Sequence, residues 1–184
     1  MNFIPTEIPG VMIIEPKRFG DERGYFMESF KKEEFDRHIP GVNFIQENES
    51  VSRRGVLRGL HLQKGEFSQA KLVRVSRGRV FDVAVDLRPA SPTFKRHVIV
   101  ELSDENCRQL FVPRGFAHGF IVVSDIAQFQ YHVDNVYRPD AEMSVLYNDP
   151  ALGISWPDPG CPVLTSDKDL HGLTLAQALP LTGF

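Results

Sequence analysis

VLRGLHLQ, residues 56–63, has the apolar, β-branched character of a β-strand and carries a single histidine. Alternate side chains of a strand face opposite sides, so His61 shares a face with Gly59 and Gln63, while Leu60 and Leu62 lie on the other. Neither face resembles a solvent-exposed sheet surface. The pattern therefore predicts a strand between a lined cavity and a second packed layer.

Short apolar runs separated by turn residues continue along the whole chain. Together with 56–63 they predict strands at residues 11–15, 25–30, 43–49, 71–76, 79–88, 96–102, 109–112, 117–123 and 127–133. Residues 31–39 predict a helix and residues 173–178 a weaker one. Strands do not alternate with long helices, which argues against a dinucleotide-binding α/β fold. Many short strands at this spacing favour an all-β fold, most simply a jelly-roll sandwich or barrel.

Length and composition indicate one globular domain over residues 1–184, with 42% hydrophobic and 24% charged residues. A formal charge of −3 gives no basic field, so we expect no nucleic-acid partner. We also expect no signal peptide and no membrane association, because no apolar run approaches the roughly 20 residues of a membrane helix. Two cysteines, Cys107 and Cys161, suit a reducing cytoplasm.

Several polar residues fall on unexpected strand faces. Lys71 shares its face with two valines, and Tyr131 lies on the apolar face of its own strand. The lysine could sit at a strand end and reach water, and the tyrosine could be a core residue whose hydroxyl is tied to an acceptor. Asp82 and Asp86 lie opposite the apolar side of their strand, so they are either solvated or directed into a polar cavity.

PRGFAHGF, residues 113–120, resembles the second half of the metal site in cupin-type barrels. Such barrels usually supply two histidines one residue apart before it, but here Gln63 follows His61. A neutral amide is a weak ligand, and two imidazoles alone leave a transition metal under-coordinated. His38, His97 and His171 lie outside these motifs and do not complete the site. We therefore expect no metal, and general base chemistry is the natural use of His61 and His118.

Nine motifs in order, from residue 8 to residue 169, resemble the dTDP-4-dehydrorhamnose 3,5-epimerase family. They are FGDERGYFMESF, FIQENES, GVLRGLHLQ, QAKLVRVSRG, VFDVAVDLR, SPTF, PRGFAHGF, the pair Tyr131 and Tyr137, and SDKD. Each motif is weak alone, but nine at compatible spacing are specific. The resemblance implies a cupin-like jelly roll without metal or other cofactor. It also implies a homodimer that inverts C3 and C5 of dTDP-4-keto-6-deoxyglucose, in dTDP-L-rhamnose biosynthesis.

The resemblance implies a role for four residues at the reacting carbons. His61 matches the family's base, and Asp169 the carboxylate that orients it. Lys71 matches the cation beside the developing oxyanion, and Tyr131 the proton donor on the opposite face. Both carbons adjoin the C4 ketone, so such a set could form an enolate and return the proton to the other side.

Eight further residues match substrate contacts of the family. These are Arg23 and Arg58 at the pyrophosphate, Glu28 at the thymine edge, Gln46 and Asn48 near nucleotide and sugar, and His118, Asp82 and Tyr137 around the cavity. Arg23 and Glu28 belong to an N-terminal segment that in this family crosses to the partner subunit, so each site would need a dimer. His132 stands where the family often has lysine, and its parity points it away from the Tyr131 face.

Four alternatives stay open at this point. A related epimerase that inverts only C3 or only C5 would share the same residues. A 3,4-ketoisomerase on the same nucleotide sugar is less favoured, because RGLH and SDKD match the epimerase pattern. A metal-dependent oxygenase would need a degenerate first motif. A non-catalytic nucleotide-sugar-binding module should have lost the base, the orienting acid, the cation or the proton donor, and all four are present.

Overall fold

The computed structural model describes residues 1–184 and contains two packed antiparallel sheets, whose strands are numbered in chain order. The six-stranded sheet has the order β1 (Asn2–Pro5), β2 (Met12–Glu15), β10 (Gln109–Val112), β7 (Lys71–Arg77), β12 (Ile126–Val133), β5 (Gln46–Arg53). The five-stranded sheet has the order β13 (Glu142–Ser144), β6 (Leu57–Gln63), β11 (Phe116–Val122), β8 (Arg79–Asp86), β9 (His97–Ser103). A separate hairpin pairs β3 (Arg18–Asp21) with β4 (Gly24–Met27).

The helices are short and lie outside the sheets. They are α1 (Lys32–His38), α2 (Asp167–Leu170) and α3 (Leu175–Ala178), with 3₁₀ turns at Gly65–Phe67, Pro150–Leu152 and Leu179–Leu181. None of them has the length and apolar character that crossing a bilayer requires.

Three clusters of buried apolar side chains hold the layers together. The largest, of 16 residues, fills the space between the sheets and includes Val73, Phe120 and Phe129. A second packs the outer face of the five-stranded sheet, including Leu60 and Leu62, against the C-terminal segment. A third packs α1 on the outer face of the six-stranded sheet. β6 thus has the predicted position, with one face toward the interlayer space and the other against a second packed layer.

The predicted all-β jelly-roll class is confirmed, and each of the ten predicted strands has a counterpart. β10 has the predicted bounds, whereas the strand predicted at 43–49 is β5, Gln46–Arg53. Residues 43–45, NFI, precede it, because Phe44 packs into the cluster beneath α1. β1, β3, β13 and α2 were not predicted, since each has only three or four residues.

Candidate active site

Two glycines bring β6 and β11 into close contact where each strand carries a histidine. A Cβ on Gly59, whose φ is +130°, would lie 2.6 Å from the Gly119 Cα. A Cβ on Gly119 would lie 2.6 Å from the Arg58 carbonyl oxygen. Only glycine fits at such an approach. The register then places His118 directly opposite His61, with an irregularity immediately after it.

His61 is paired with a carboxylate from a distant part of the chain. Its Nε2–H donates to Asp169 Oδ1 at 2.5 Å, so Nδ1 is the ring nitrogen left free. Asp169 is 2% exposed and lies in α2, where its backbone N–H donates to the Ser166 cap. Burial by itself raises the pKa of Asp169, but hydrogen bonds from His61, Ser166 and the Gly59 backbone, with the charge of His61, hold that pKa below its usual value.

A second imidazole–carboxylate pair lies on the neighbouring strands. His118 Nε2 is 2.9 Å from Asp82 Oδ1 and 3.0 Å from Oδ2, and both side chains are buried. Burial lowers the pKa of His118, and the charge and hydrogen bond of Asp82 oppose this without reversing it. Asp82 is therefore not solvated. Asp86 is equally buried, and its carboxylate accepts hydrogen bonds from Arg88, Ser91 and Thr93.

The facing sheet contributes a lysine and a tyrosine. Tyr131 is registered opposite Val73 on β7, and Lys71 opposite Val133 on β12, so both side chains face the space between the layers. Burial lowers the pKa of Lys71 to about 8, although Asp82 and Glu142 oppose this, and no protein group forms a hydrogen bond to its ammonium. The lysine therefore does not escape to bulk water at a strand end.

Tyr131 has neither of the features expected of an ordinary core tyrosine. It is half-buried, and no protein acceptor engages its hydroxyl. Burial raises the pKa of the Tyr131 hydroxyl, the charge of Glu142 raises it further, and Arg58 opposes the shift. The hydroxyl is therefore protonated and free to bond a ligand at neutral pH.

These groups share one cavity of about 240 Å³. Its lining residues are Glu49, Ser50, Arg58, His61, Lys71, His118, Gly119, Phe120, Phe129 and Tyr131. A groove of about 440 Å³ adjoins it through Arg58 and His61 and is bordered by the basic side chains of Arg53 and Lys168. Asp169 borders this groove and approaches His61 from outside the cavity, while Asp82 lies behind His118. A base-competent ring, a free ammonium and a free phenol thus meet in one enclosed space.

The N-terminal candidates lie elsewhere. Arg23 is at the tip of the β3–β4 hairpin, is 85% exposed and pairs with Asp21. Glu28 is also exposed, and neither residue lines the cavity of its own chain. The structure therefore does not bring Arg23 and Glu28 together with His61.

The remaining candidates lie on β5 and in the loop that follows β12, and they do not line the cavity. Gln46 donates to Asn48 at 2.8 Å along β5, and Asn48 is registered opposite Tyr131. The Tyr137 hydroxyl donates to Glu142 at 2.9 Å. His132 lies on the other side of β12, where its ring is 5.8 Å from those of Phe30 and Phe44.

Gln63 stands where a cupin would carry a metal-binding histidine. Its side-chain amide anchors a loop through hydrogen bonds. Its Nε2 donates to the Phe67 and Val136 carbonyls at 2.8 and 2.9 Å, and its Oε1 accepts from the Arg138 backbone at 2.6 Å. No group of three or more His, Cys, Asp or Glu side chains is placed to hold a metal ion.

Two side chains near the site escaped the sequence analysis. Glu142 accepts a bond from Lys168 at 2.5 Å, and Lys168 is the chain neighbour of Asp169. Lys168 could have been noticed, because it directly precedes Asp169 in the SDKD motif. Glu142 carries no comparable signal, since it lies in the unpredicted strand β13.

Comparison with known proteins places this geometry in a family. A sequence model described as dTDP-4-dehydrorhamnose 3,5-epimerase matches residues 5–177. The dTDP-4-dehydrorhamnose 3,5-epimerase of Salmonella typhimurium is 53% identical over 180 residues, covering 97% of this chain and 98% of that protein.

Solved structures agree with the sequence comparison. A Legionella pneumophila dTDP-6-deoxy-D-glucose-3,5-epimerase, solved in complex with dTDP-4-keto-L-rhamnose, superposes with a TM-score of 0.93 at 47% identity, covering 100% of this chain and 98% of that one. A 3'-monoepimerase from Streptomyces bikiniensis, in complex with dTDP-quinovose, superposes at 0.88 with 38% identity and coverage of 95% and 88%. Over nearly its whole length, this chain belongs to the dTDP-4-dehydrorhamnose 3,5-epimerase family.

Proposed function

We propose that the chain is an isomerase that epimerises C3 and C5 of dTDP-4-dehydro-6-deoxy-D-glucose, giving dTDP-4-dehydro-L-rhamnose in dTDP-L-rhamnose biosynthesis. The observation that supports this most directly is the bond between His61 and Asp169 beside a cavity that Lys71 and Tyr131 line from the facing sheet. Relatives about half identical over nearly the full length carry the name of this activity.

In the first step, the free Nδ1 of His61 removes the proton from a carbon next to the C4 ketone. Asp169, ionised and bonded to Nε2, stabilises the imidazolium that results. The electron pair left by the proton moves to the C4 oxygen and forms an enolate. The Lys71 ammonium has no protein partner to release, so it can neutralise this oxygen without rearrangement.

The second step returns a proton to the opposite face of the same carbon. Tyr131 projects from the six-stranded sheet, whereas His61 projects from the five-stranded sheet, so a sugar ring between them would meet one group on each face. The phenol donates its proton as the enolate collapses to the ketone. Exchange with solvent then restores both groups, and the same pair serves C3 and C5 in turn.

The remaining family matches would hold the nucleotide. Arg58 lies between the cavity and the basic groove, where a guanidinium can bind phosphate oxygens. Gln46 and Asn48 would contact nucleotide and sugar from β5, and Tyr137 would border the entrance. His118, held by Asp82, lines the sugar side of the cavity.

Each subunit would be a single domain of residues 1–184. A homodimer of such subunits would complete each site. The β3–β4 hairpin leaves Phe19, Tyr25 and Phe26 between 52% and 66% exposed, which is unusual for a chain that functions alone. The hairpin also bears Arg23, with Glu28 just beyond it, so exchange of this segment would bring both side chains to a partner's cavity. Sedimentation equilibrium tests this, and a monomer at assay concentrations would contradict it.

Cys107 and Cys161 are free thiols, which supports the cytoplasm as the location.

The test is incubation with dTDP-4-dehydro-6-deoxy-D-glucose in heavy water, followed by NMR. Proton abstraction with solvent exchange predicts deuterium at both C3 and C5. Addition of a 4-ketoreductase and NADPH should then give dTDP-L-rhamnose. Transfer of the carbonyl to C3 would instead indicate a ketoisomerase.

A monoepimerase is the second candidate, because a 3'-monoepimerase shares the fold at 38% identity. It would use the same base, cation and acid at one carbon. Deuterium at C3 alone, with C5 untouched after prolonged incubation, would favour it over the double epimerase.

A further inference from the structure

Glu142 joins two side chains from other parts of the chain at the edge of the site. Lys168 Nζ donates to its Oε1 at 2.5 Å, and the Tyr137 hydroxyl donates to its Oε2 at 2.9 Å. Glu142 is registered opposite Gln63, and Ser144 opposite His61. Glu142 therefore lies on the same strand face as the proposed base, two positions away from it.

The helical turn that carries Asp169 is flanked by two backbone attachments, Leu164 to Gly55 and Leu173 to Ser144, and side-chain contacts hold the turn between them. α2 has four residues, and its only buried side chain is that of Asp169 itself, while Leu170 is 51% exposed. Without an apolar anchor, the position of this turn depends on polar contacts. Its side-chain contacts are the Ser166 cap, the His61–Asp169 bond, the Gly59 backbone bond to the Asp169 carboxylate and the Lys168–Glu142 ion pair. Only the last of these ties α2 to the edge strand β13.

Glu142 also lies within electrostatic reach of the groups proposed to react. Its charge opposes the lowering of the Lys71 pKa and adds to the raising of the Tyr131 pKa. Burial by itself raises the pKa of Glu142, but bonds from Lys168 and Tyr137 and the charges of Lys168 and His61 hold it below its usual value. The carboxylate is therefore ionised across the neutral range.

We propose that Glu142 is a positioning residue of the epimerase reaction: through its ion pair with Lys168 it fixes the turn that holds Asp169 against His61. This rests on the proposed epimerase function. No covalent step involves Glu142, because both its oxygens already accept hydrogen bonds outside the cavity.

The experiment compares Glu142→Gln with a matched control, Asp140→Asn. Asp140 lies two residues away and pairs only with the exposed Arg138, so the control removes the same charge from the same segment. In Glu142→Gln we expect kcat to fall by about 10- to 100-fold, because loosening the orienting carboxylate misplaces the base. Loss of the negative charge should also move the alkaline limb of the kcat profile about half a pH unit lower, since Lys71 then deprotonates more easily.

Several charged and titratable groups face Lys71 and can affect the alkaline limb of the kcat profile. These are Asp82 on β8, His118 on β11, His61 and Arg58 on β6, Tyr131 on β12, Glu49 on β5 and Glu142 on β13. Only Glu142 is changed in the test variant, and none of them in the control. Glu142→Asp keeps the charge but shortens the reach to Lys168, so it should lower kcat without moving the limb.

A second measurement does not depend on turnover. The proton on His61 Nε2 should give a downfield ¹H resonance, assigned by its loss in His61→Ala. We expect the resonance to persist in wild type and Asp140→Asn and to broaden in Glu142→Gln, with thermal unfolding showing that all three are folded. A Glu142→Gln variant with the resonance, the kcat and the limb of the control would overturn the proposal. If the resonance behaves as expected in every variant but the wild type has no epimerase activity, only the proposed epimerase function is refuted. The role of Glu142 in positioning the His61–Asp169 pair would stand.

Discussion

The cavity contains two imidazole–carboxylate pairs that are built differently. His61 and Asp169 are 108 residues apart in the chain, make one short bond, and leave the imidazole 31% exposed. His118 and Asp82 lie on adjacent strands, make two contacts, and are 7% and 0% exposed. The first carboxylate belongs to a one-turn helix on the surface, and the second belongs to the core of the five-stranded sheet.

This difference shows which pair can exchange protons with a ligand. A ring that is open to the cavity and backed by an ionised carboxylate can become charged and neutral in turn. A ring that is buried, with its pKa lowered by that burial, stays neutral and presents a fixed surface. We therefore assign the chemistry to the His61 pair and the shape of the cavity to the His118 pair.

The largest expected effect is that of His61→Ala on turnover. Removal of the general base should lower kcat by up to about 10⁴-fold. The phosphate contacts are proposed for Arg58 and not for His61, so dTDP binding measured by calorimetry should be largely retained. Equal activity in the variant and the wild type would show that the base is misassigned.

His118→Ala should instead act mainly on stability. It leaves the buried Asp82 carboxylate without its hydrogen-bond donor, and a hydrogen bond to a charged group typically contributes about 1.5–3 kcal/mol. Urea unfolding of His118→Ala, with His61→Ala as the matched control, measures this. If the two variants lost equal stability, the distinction between the pairs would be wrong.

Asp169→Asn should have a smaller effect than His61→Ala. The amide can still hold the ring through a hydrogen bond but cannot stabilise the imidazolium, so we expect only part of the roughly 10²- to 10⁴-fold contribution of general base catalysis to be lost. Heavy-water exchange at C3 measures this directly. Asp167→Asn, an exposed neighbour in the same turn, serves as the control and should exchange at the wild-type rate.

The contributions of the two pairs to the free energy of unfolding should be lost over different pH ranges. The pKa of His118 is lowered from 6.5 by burial, so the unfolded chain binds the proton more readily, and stability present above pH 6.5 declines as the pH falls. The pKa of Asp169 is held below 3.8, so its contribution is complete above that value and is lost only in stronger acid.

Thermal unfolding midpoints between neutral pH and about pH 5 test the first window. His97, whose pKa burial also lowers, contributes a decline in the same range. We expect a shallower decline in His118→Gln than in wild type, and an unchanged decline in the exposed control His171→Gln. Parallel slopes in wild type and His118→Gln would contradict the buried, neutral assignment.

Strand parity predicts much of the arrangement of the candidate site. It identifies Lys71 and Tyr131 as unusual residues on apolar faces, and the register of β7 with β12 confirms that they face the same space. Periodicity of two fixes which face a side chain occupies, so these inferences need no tertiary information. Parity also predicts that His132 faces away, where its ring packs beside Phe44.

Long-range and very short elements are beyond this kind of reasoning. Asp169 is 108 residues from His61 and lies in a four-residue helix, so only resemblance to a family indicates it. Glu142 lies in a three-residue strand, EMS, that forms because β6 offers a free edge. Such a strand forms through backbone pairing with its neighbour, and the sequence shows no apolar pattern that would predict it.

The anchoring bonds of Gln63 limit which side chains this position can accept. A histidine at this position would restore a second imidazole beside His61 but would abandon two carbonyls and one N–H that the amide now satisfies. The loop at residues 136–138, which carries Tyr137, would lose its attachment at the same moment. A Gln63→His substitution therefore cannot place a second imidazole beside His61 without detaching this loop.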